Sequence, residues 1–256
     1  MPKAPAYRMP PVREALIDVR INHLPVDKLG ILESLHDKLI AKYPGKKPQQ
    51  RWEGMFEVKE NTLLSSQKTH GVVGYSYESE DKKRIIQYRL DGFTCNFLKP
   101  DHRESWPGWA ELCGEAKSAW ELYATTLGIT ETKRLAVRYI NQIVIHAPIV
   151  ELNDYFTAPP NAPKECKYQD LHDFLGRVTL AIPELKARAT ITQAPSHEKP
   201  QGAVAVLLDI DVFCSEAFPY DGESMWRLLD QFRDIKNDIF EASLHPKAKD
   251  LFEPLK

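Results

Sequence analysis

The feature of this chain that most restricts its fold is a similarity between residues 120 positions apart. The matches link elements of the same predicted type, which is the pattern that a duplicated unit leaves in a sequence. The matched positions are Trp106 with Trp226, Trp120 with Phe240, Ile17 with Val137, Val19 with Tyr139, and Asp91-Gly92-Phe93 with Asp211-Val212-Phe213. We therefore predict two α+β repeats, residues 1–130 and residues 131–256, related by a pseudo-twofold axis within one compact domain or as two units.

Periodicity assigns the elements of each repeat. Ile17 and Val19 alternate with Asp18 and Arg20, and this period of two is typical of a strand with one buried face. In the first half we predict strands at 15–21, 51–58, 71–77, 83–90 and 92–98, and helices at 26–42 and 106–126. In the second half we predict strands at 134–146, 177–181, 186–193 and 203–213, and helices at 152–156, 170–175 and 223–243.

The predicted order in each half is strand, helix, three or four strands, helix. This order indicates an α+β fold with antiparallel sheets and helices on one face. It resembles the TATA-binding-protein-like or helix-grip arrangement, in which a curved sheet packs around a long helix. Leu35-His36-Asp37 also resembles Leu171-His172-Asp173 at an offset of 136, and the proline-rich segment 158–163 accounts for the extra length.

Composition limits the classes of function. The formal net charge is −2, so the chain has no general positive field to attract nucleic acid. No run of about 18 apolar residues predicts a membrane helix, and the first residues lack the apolar core of a signal peptide. Four cysteines without a C-x-x-C pair predict reduced thiols. We expect a cytoplasmic protein that does not bind membranes, and the charge balance disfavours nucleic acid as a partner.

Two segments carry a resemblance to a known family. They are Pro10-Pro11-Val12-Arg13-Glu14-Ala15, before the first strand, and Val137-Arg138-Tyr139-Ile140-Asn141-Gln142-Ile143. Together with Leu207-Leu208-Asp209-Ile210-Asp211 and the closing helix, they resemble a sporadically distributed family of uncharacterised bacterial proteins of about 250 residues. The resemblance brings no established activity. A patchy distribution is typical of bacterial defence and toxin–antitoxin genes.

The candidate site is a charged sheet face. Asp209 and Asp211 alternate with Leu208, Ile210 and Val212, so the two carboxylates share one face of their strand. By the same alternation, further polar residues share the corresponding face of other strands. The candidate binding residues are Arg138, Asp209, Asp211, Arg89, Asp91, Gln142, His146, Asp18 and Arg20. Arg89 and Asp91 are placed here as the repeat equivalents of the two aspartates.

Established catalytic patterns do not occur in the sequence. It contains no H-E-x-x-H, no G-x-S-x-G, no Walker A loop and no G-x-G-x-x-G. We therefore predict no cofactor, no metal site and no catalytic residue. The charged face has an alternative explanation as an ordinary solvated surface or as ion pairs between the two halves.

These observations lead to one leading function and two alternatives. The leading prediction is a non-enzymatic binding protein that engages a protein partner or a small ligand through the sheet face or the groove between the repeats. One alternative is an enzyme that uses Asp209, Asp211 and Arg138. The other is nucleic-acid binding through a saddle-shaped sheet, which the acidic pair and the neutral charge balance disfavour.

Overall fold

One large antiparallel sheet of nine strands organises the chain. The computed structural model describes residues 6–59, 62–99, 106–146, 150–169, 171–216, 218–219 and 222–255, with side chains except at 51–59, 62–70 and 218–219. The strands are β1 (Val12–Arg20), β2 (Gly45–Lys59), β3 (Thr62–Glu78), β4 (Arg84–Arg89), β5 (Gly92–Leu98), β6 (Glu131–Thr132), β7 (Arg134–Ile145), β8 (Gly176–Ile182), β9 (Ala187–Pro195), β10 (Val204–Cys214) and β11 (Phe218–Pro219).

Five α-helices accompany the strands in the described part of the chain. They are α1 (Leu29–Ser34), α2 (His36–Leu39), α3 (Trp109–Leu127), α4 (Ser224–Ala242) and α5 (Pro246–Lys249). Short 3-10 helices occupy Val26–Lys28, Leu152–Asp154, Pro183–Leu185 and Asp250–Phe252. The predicted mixed α+β class with an antiparallel sheet is thereby confirmed. None of the described helices is both long and apolar enough to cross a membrane.

The sheet order places the first strand of each half beside the last long strand of that half. The order is β2-β3-β4-β5-β1-β7-β10-β9-β8, and β6 pairs with β11 in a separate two-stranded sheet. At the centre β1 pairs antiparallel with β7, with Ile17 opposite Val137 and Arg20 opposite Arg134. We call this central pairing the seam. One sheet therefore continues across residues 130 and 131, and the proposed division into two repeats stays a prediction.

The helices α1, α3 and α4 pack on one face of the sheet. Tyr77 of β3 donates a hydrogen bond to the carbonyl of Leu32 in α1 (2.5 Å), and Tyr88 of β4 donates to that of Ala119 in α3 (2.7 Å). The core lies between these helices and the apolar side of the strands, where Ile17 is fully buried. The other side of the sheet, which we call the open face, carries the alternating polar side chains.

The helix α3 begins at Trp109, three residues later than expected. Gly108 precedes it with φ of 84°, a backbone conformation in which residues with a Cβ are strained. Trp106 therefore lies before its helix, whereas Trp226 lies inside α4. The helix ends at Leu127, one residue beyond the expected end, and the next residue, Gly128, is left-handed with φ of 66° and donates its N–H to the carbonyl of Ala124.

Two matches between the halves are wrong at the structural level. Asp91 lies in the turn between β4 and β5, whereas Asp211 lies within β10. The ring of Phe93 packs against Trp120 of α3, 5.8 Å between centroids, whereas Phe213 lies on the open face with the Arg134 guanidinium 4.8 Å from its ring. A hairpin turn interrupts the first segment and not the second, so the triplet similarity does not mark equivalent positions.

The second mismatch concerns the two histidine segments. His36 lies in α2, is buried, and stacks on the ring of Tyr77 at 5.2 Å. The helix expected over 170–175 is wrong: residue 170 is outside the described residues, 171–175 are irregular, and His172 is exposed. The Tyr77 ring that covers His36 belongs to β3, and the exposed His172 is not packed in this way.

Candidate functional site

Charged side chains from four strands and one turn meet on the open face across the seam. Strand pairing explains why, because Arg20 of β1 is directly opposite Arg134 of β7, and Asp211 of β10 is directly opposite Arg138 of β7. Side chains opposite each other in an antiparallel pair share a face. We call this set the charge network; its members are Asp18, Arg20, Arg89, Asp91, Thr94, Arg134, Arg138, Asp209 and Asp211.

Asp18 is the centre of the charge network. Its side chain is almost fully buried and accepts hydrogen bonds from Arg20 (3.0 Å), Arg89 (3.1 Å), Arg134 (2.8 Å) and Thr94 (2.7 Å). Burial alone would raise the pKa of Asp18, but the three guanidinium groups and the Thr94 hydroxyl outweigh it and lower that pKa. Asp18 is therefore ionised at neutral pH and anchors three arginines on three strands.

The buried Arg89 connects Asp18 to the edge of the network. Its guanidinium also donates to Asp91 (3.3 Å), Thr94 (2.7 Å) and Gln87 (2.8 Å). Burial lowers the pKa of Arg89, and the neighbouring Arg20 adds to this, against the opposite effect of the aspartates. An arginine in this position stays charged and is held by hydrogen bonds on several sides.

The second half of the network consists of two arginine–aspartate pairs. Arg138 donates to Asp209 at two points, 2.8 and 2.6 Å, and Arg134 donates to Asp211 at 2.8 Å. Burial raises the pKa of Asp211, and Arg134 and Arg138 only partly oppose this. Its Oδ1 is buried without a hydrogen-bond partner in the described part of the chain. Asp211 therefore takes up a proton more readily than an ordinary aspartate.

Seven of the nine candidate residues lie together in this network. Within it Arg138 contacts Asp209, while Asp211 pairs with Arg134. Arg134 was expected on the same face as Arg138 from the alternation of its strand, but it was not among the candidate binding residues. Asp91 joins the network from a turn, as its bond to Arg20 (2.8 Å) and that to Arg89 show.

The two remaining candidates lie toward the other end of β7. The side-chain amide of Gln142 donates to Ser196 Oγ (2.8 Å) and to the carbonyl of Glu198. His146 follows β7 and is exposed, eight residues beyond Arg138 along the chain. Gln142 therefore belongs to a different part of the open face, where the loop 196–201 between β9 and β10 crosses the seam.

This part of the open face contains a cleft of about 780 Å³, which we call the seam cleft. Both halves of the sheet contribute, because its walls come from β1, β5, β7, β10 and the loop 196–201. Residues on the walls include Arg13, Glu14, Lys99, Ile140, Gln142 and Lys199. Sequence reasoning found only Gln142 here, because a cleft built from strand ends that are distant in sequence leaves no local pattern.

Metal binding and thiol chemistry are the other kinds of site that side chains of this type could form. Among the described residues, no group of three or more His, Cys, Asp or Glu side chains is placed to hold a metal ion. All four cysteines are free thiols, and burial raises the pKa of Cys113 to about 11. Comparison with protein-family models, with curated proteins and with solved structures found no match.

Proposed function

We propose that this chain is a binding protein that engages a small ligand or a protein partner at the seam cleft on the open face. The observation that carries the proposal is the position of the cleft: strands from both halves of the sheet form it, on the face opposite α1, α3 and α4. A concave site of this size, with apolar and polar groups side by side, is the usual form of a ligand site. We propose a bacterial defence or toxin–antitoxin setting from the family resemblance alone.

The charge network supports a scaffold role beside the cleft. Its four arginines and four aspartates have no net charge when all are ionised, and most of their hydrogen bonds are made with one another. A self-neutralised network attracts a charged ligand weakly, but it fixes β1, β7 and β10 relative to each other. This arrangement favours a rigid binding face over a mobile one.

We also propose that the two halves arose by duplication and form a TATA-binding-protein-like sheet. The support is the strand order, which runs outward from the seam as β1-β5-β4-β3-β2 on one side and β7-β10-β9-β8 on the other. α3 and α4 pack at comparable places, because α3 contacts β1 and β5 and α4 contacts β7 and β10. Fold alone does not give function, so the proposed site does not depend on this inference.

One observation favours the enzymatic alternative. Asp211 has a raised pKa and a buried Oδ1 without a hydrogen bond in the described residues, which is a property of general bases. Against it, Asp209 and Asp211 are each paired with an arginine, which restrains the side chain. Nucleic-acid binding is proposed as the third alternative, with less support, because four aspartates line the centre of the open face.

The proposal is tested by filling the seam cleft. Purified wild-type protein, Ile140→Trp and the control Ser118→Trp, which lies on exposed α3 surface, are incubated with extract of the native host. Bound proteins and small molecules are then quantified by mass spectrometry. We expect a species retained by the wild type and by Ser118→Trp to be lost with Ile140→Trp. Equal retention of every bound species by all three folded proteins would contradict the proposal.

A further inference from the structure

We propose that the seam cleft binds a small organic anion, one that carries phosphate or carboxylate groups on an apolar body. This deepens the proposed function and rests on it. Three properties of the cleft carry the inference: its charge, its apolar floor and the loop 196–201 that crosses it.

The charge of the seam cleft differs from that of the chain. Four cationic side chains, Arg13, Lys83, Lys99 and Lys199, face two carboxylates, Glu14 and Glu198. The lining thus has a surplus of two positive charges with His197 neutral, while the whole chain has a net charge of −2. The remainder of the chain is then at −4, so an anion is directed toward this cleft and away from other surfaces.

The carboxylates in the cleft are already engaged. Glu198 forms an ion pair with Arg13 at 2.5 Å, and Glu14 accepts a hydrogen bond from Asn96 and lies near Arg138, whose pKa it helps to raise. Lys99 and Lys199 are exposed and make no ion pair with the described residues. The surplus positive charge is therefore available on two side chains at opposite walls of the cleft.

The floor of the cleft is apolar. Ile140 of β7 and Leu207 of β10 lie on the open face and are half-buried, and Leu98 and Pro195 extend the same surface. An apolar floor next to cationic side chains matches a ligand with a hydrophobic body and a charged end. Burial of such a body contributes about 25 cal/mol for each Å² of apolar surface removed from water.

The shape of the cleft favours a small ligand over a polymer. The loop 196–201 crosses the seam and is fixed at two points, by the Gln142 amide from β7 and by the Arg13–Glu198 ion pair from β1. A loop fixed across the seam in this way obstructs a polymeric ligand that would run along the seam. The cleft volume of about 780 Å³ lies within the range that drug-sized and cofactor-sized ligands occupy.

The test uses three probes that separate charge from apolar surface: phenyl phosphate, inorganic phosphate and phenol. Binding is measured by isothermal titration calorimetry at constant ionic strength. The proteins are the wild type, Lys99→Glu/Lys199→Glu, and the control Lys117→Glu/Lys164→Glu, which carries the same net charge but changes exposed lysines elsewhere. Thermal unfolding of each variant verifies that it is folded.

We expect saturable binding of phenyl phosphate in about the millimolar range, as for other fragments, weaker binding of inorganic phosphate and none of phenol. The cleft variant should bind phenyl phosphate about tenfold more weakly or not at all, and the control should match the wild type. No saturable binding, or equal binding by both variants, overturns the proposal. So does tighter binding of a ten-nucleotide oligothymidylate than of phenyl phosphate at equal phosphate concentration.

Failure of this inference is distinguishable from failure of the proposed function. If Ile140→Trp abolishes capture of a host species while phenyl phosphate does not bind, the cleft is a binding site for an uncharged or cationic ligand. If Ile140→Trp leaves the captured species unchanged, the binding site itself is refuted.

Discussion

Arg138 reaches diagonally from β7 to Asp209 on β10 and forms a two-point hydrogen bond with it, although Asp211 is the residue directly opposite. Asp211 instead accepts a hydrogen bond from Arg134, which also donates to Asp18. The pairing divides the open face into an outer pair, in which Arg138 is 41% exposed, and an inner cluster around the almost fully buried Asp18. We expect substitutions in the outer pair and in the inner cluster to lower the free energy of unfolding by different amounts.

We expect Arg134→Ala to destabilise the protein more than Arg138→Ala. The Arg138–Asp209 pair is partly solvated and worth about 0–1 kcal/mol. Removal of Arg134 takes a positive charge from the almost fully buried Asp18 and from Asp211, and should cost about 3 kcal/mol. Urea denaturation of both variants, with Arg177→Ala on exposed β8 as the control, measures the difference. An equal or reversed order of unfolding free energies would show that the inner cluster is not the structural part.

Asp18→Asn should lower the free energy of unfolding by about 3–5 kcal/mol at pH 7, because three arginines then lose their common carboxylate. The pKa of Asp18 is lower in the folded protein than in the unfolded chain. Its contribution is therefore fully present above the unfolded pKa of about 4 and is lost as the pH falls through the folded value. The difference between wild type and Asp18→Asn should shrink in denaturation series from pH 7 to pH 3; a constant difference argues against this pKa direction.

Because Lys236 is buried, we expect the stability of the protein to change at alkaline pH. It is buried between α4 and β7, with its Nζ 3.8 Å from the centre of the Tyr139 ring. Burial, with a smaller contribution from Arg233, lowers its pKa to about 7, against the opposite effects of Glu241 and Asp234. The unfolded chain then holds more protons than the folded one between pH 7 and about 10.4, so stability should rise across that interval.

The variant Lys236→Met measures the contribution of the Lys236 amine, because methionine has an unbranched side chain of similar length and no amine. The wild type should gain stability relative to Lys236→Met between pH 7 and pH 10, and the control Lys117→Met, which lacks only an exposed amine, should follow the wild type. Parallel pH profiles of wild type and Lys236→Met would show that Lys236 is charged throughout and that the Tyr139 ring compensates its burial.

Strand faces could be predicted from the sequence, and the pairing of charges could not. The alternation in Val137–Tyr139 and Leu208–Val212 defines which side chains leave the core, so Arg138 and Asp209 were expected on the open face. Which arginine meets which aspartate depends on strand register and on side-chain reach, neither of which has a local signal. The place of Arg134 on the open face follows from the same alternation, but its pairing with Asp18 and Asp211 does not.

The repeat similarity gave the order of elements but not their register. A three-residue match aligned Asp91 with Asp211, but Asp91 lies in a turn and Asp211 lies within a strand. The seam cleft was missed because Arg13, Lys99 and Lys199 come together only through the pairing of β1 with β5 and β7 and through the loop 196–201. The order of strands in the sheet brings these strand ends together. That order depends on the whole fold and leaves no local pattern in the sequence.

The most direct test of binding at the seam cleft is lysine footprinting without knowledge of the ligand. The folded protein is acetylated briefly in buffer and in dialysed or whole extract of the native host, and labelling of each lysine is quantified by mass spectrometry. Lys99 and Lys199 should be protected in extract, and Lys117 on α3 should label equally in all samples. Protection in whole but not in dialysed extract would further indicate a small ligand. Equal labelling of Lys99 and Lys199 with and without extract would contradict binding at this cleft.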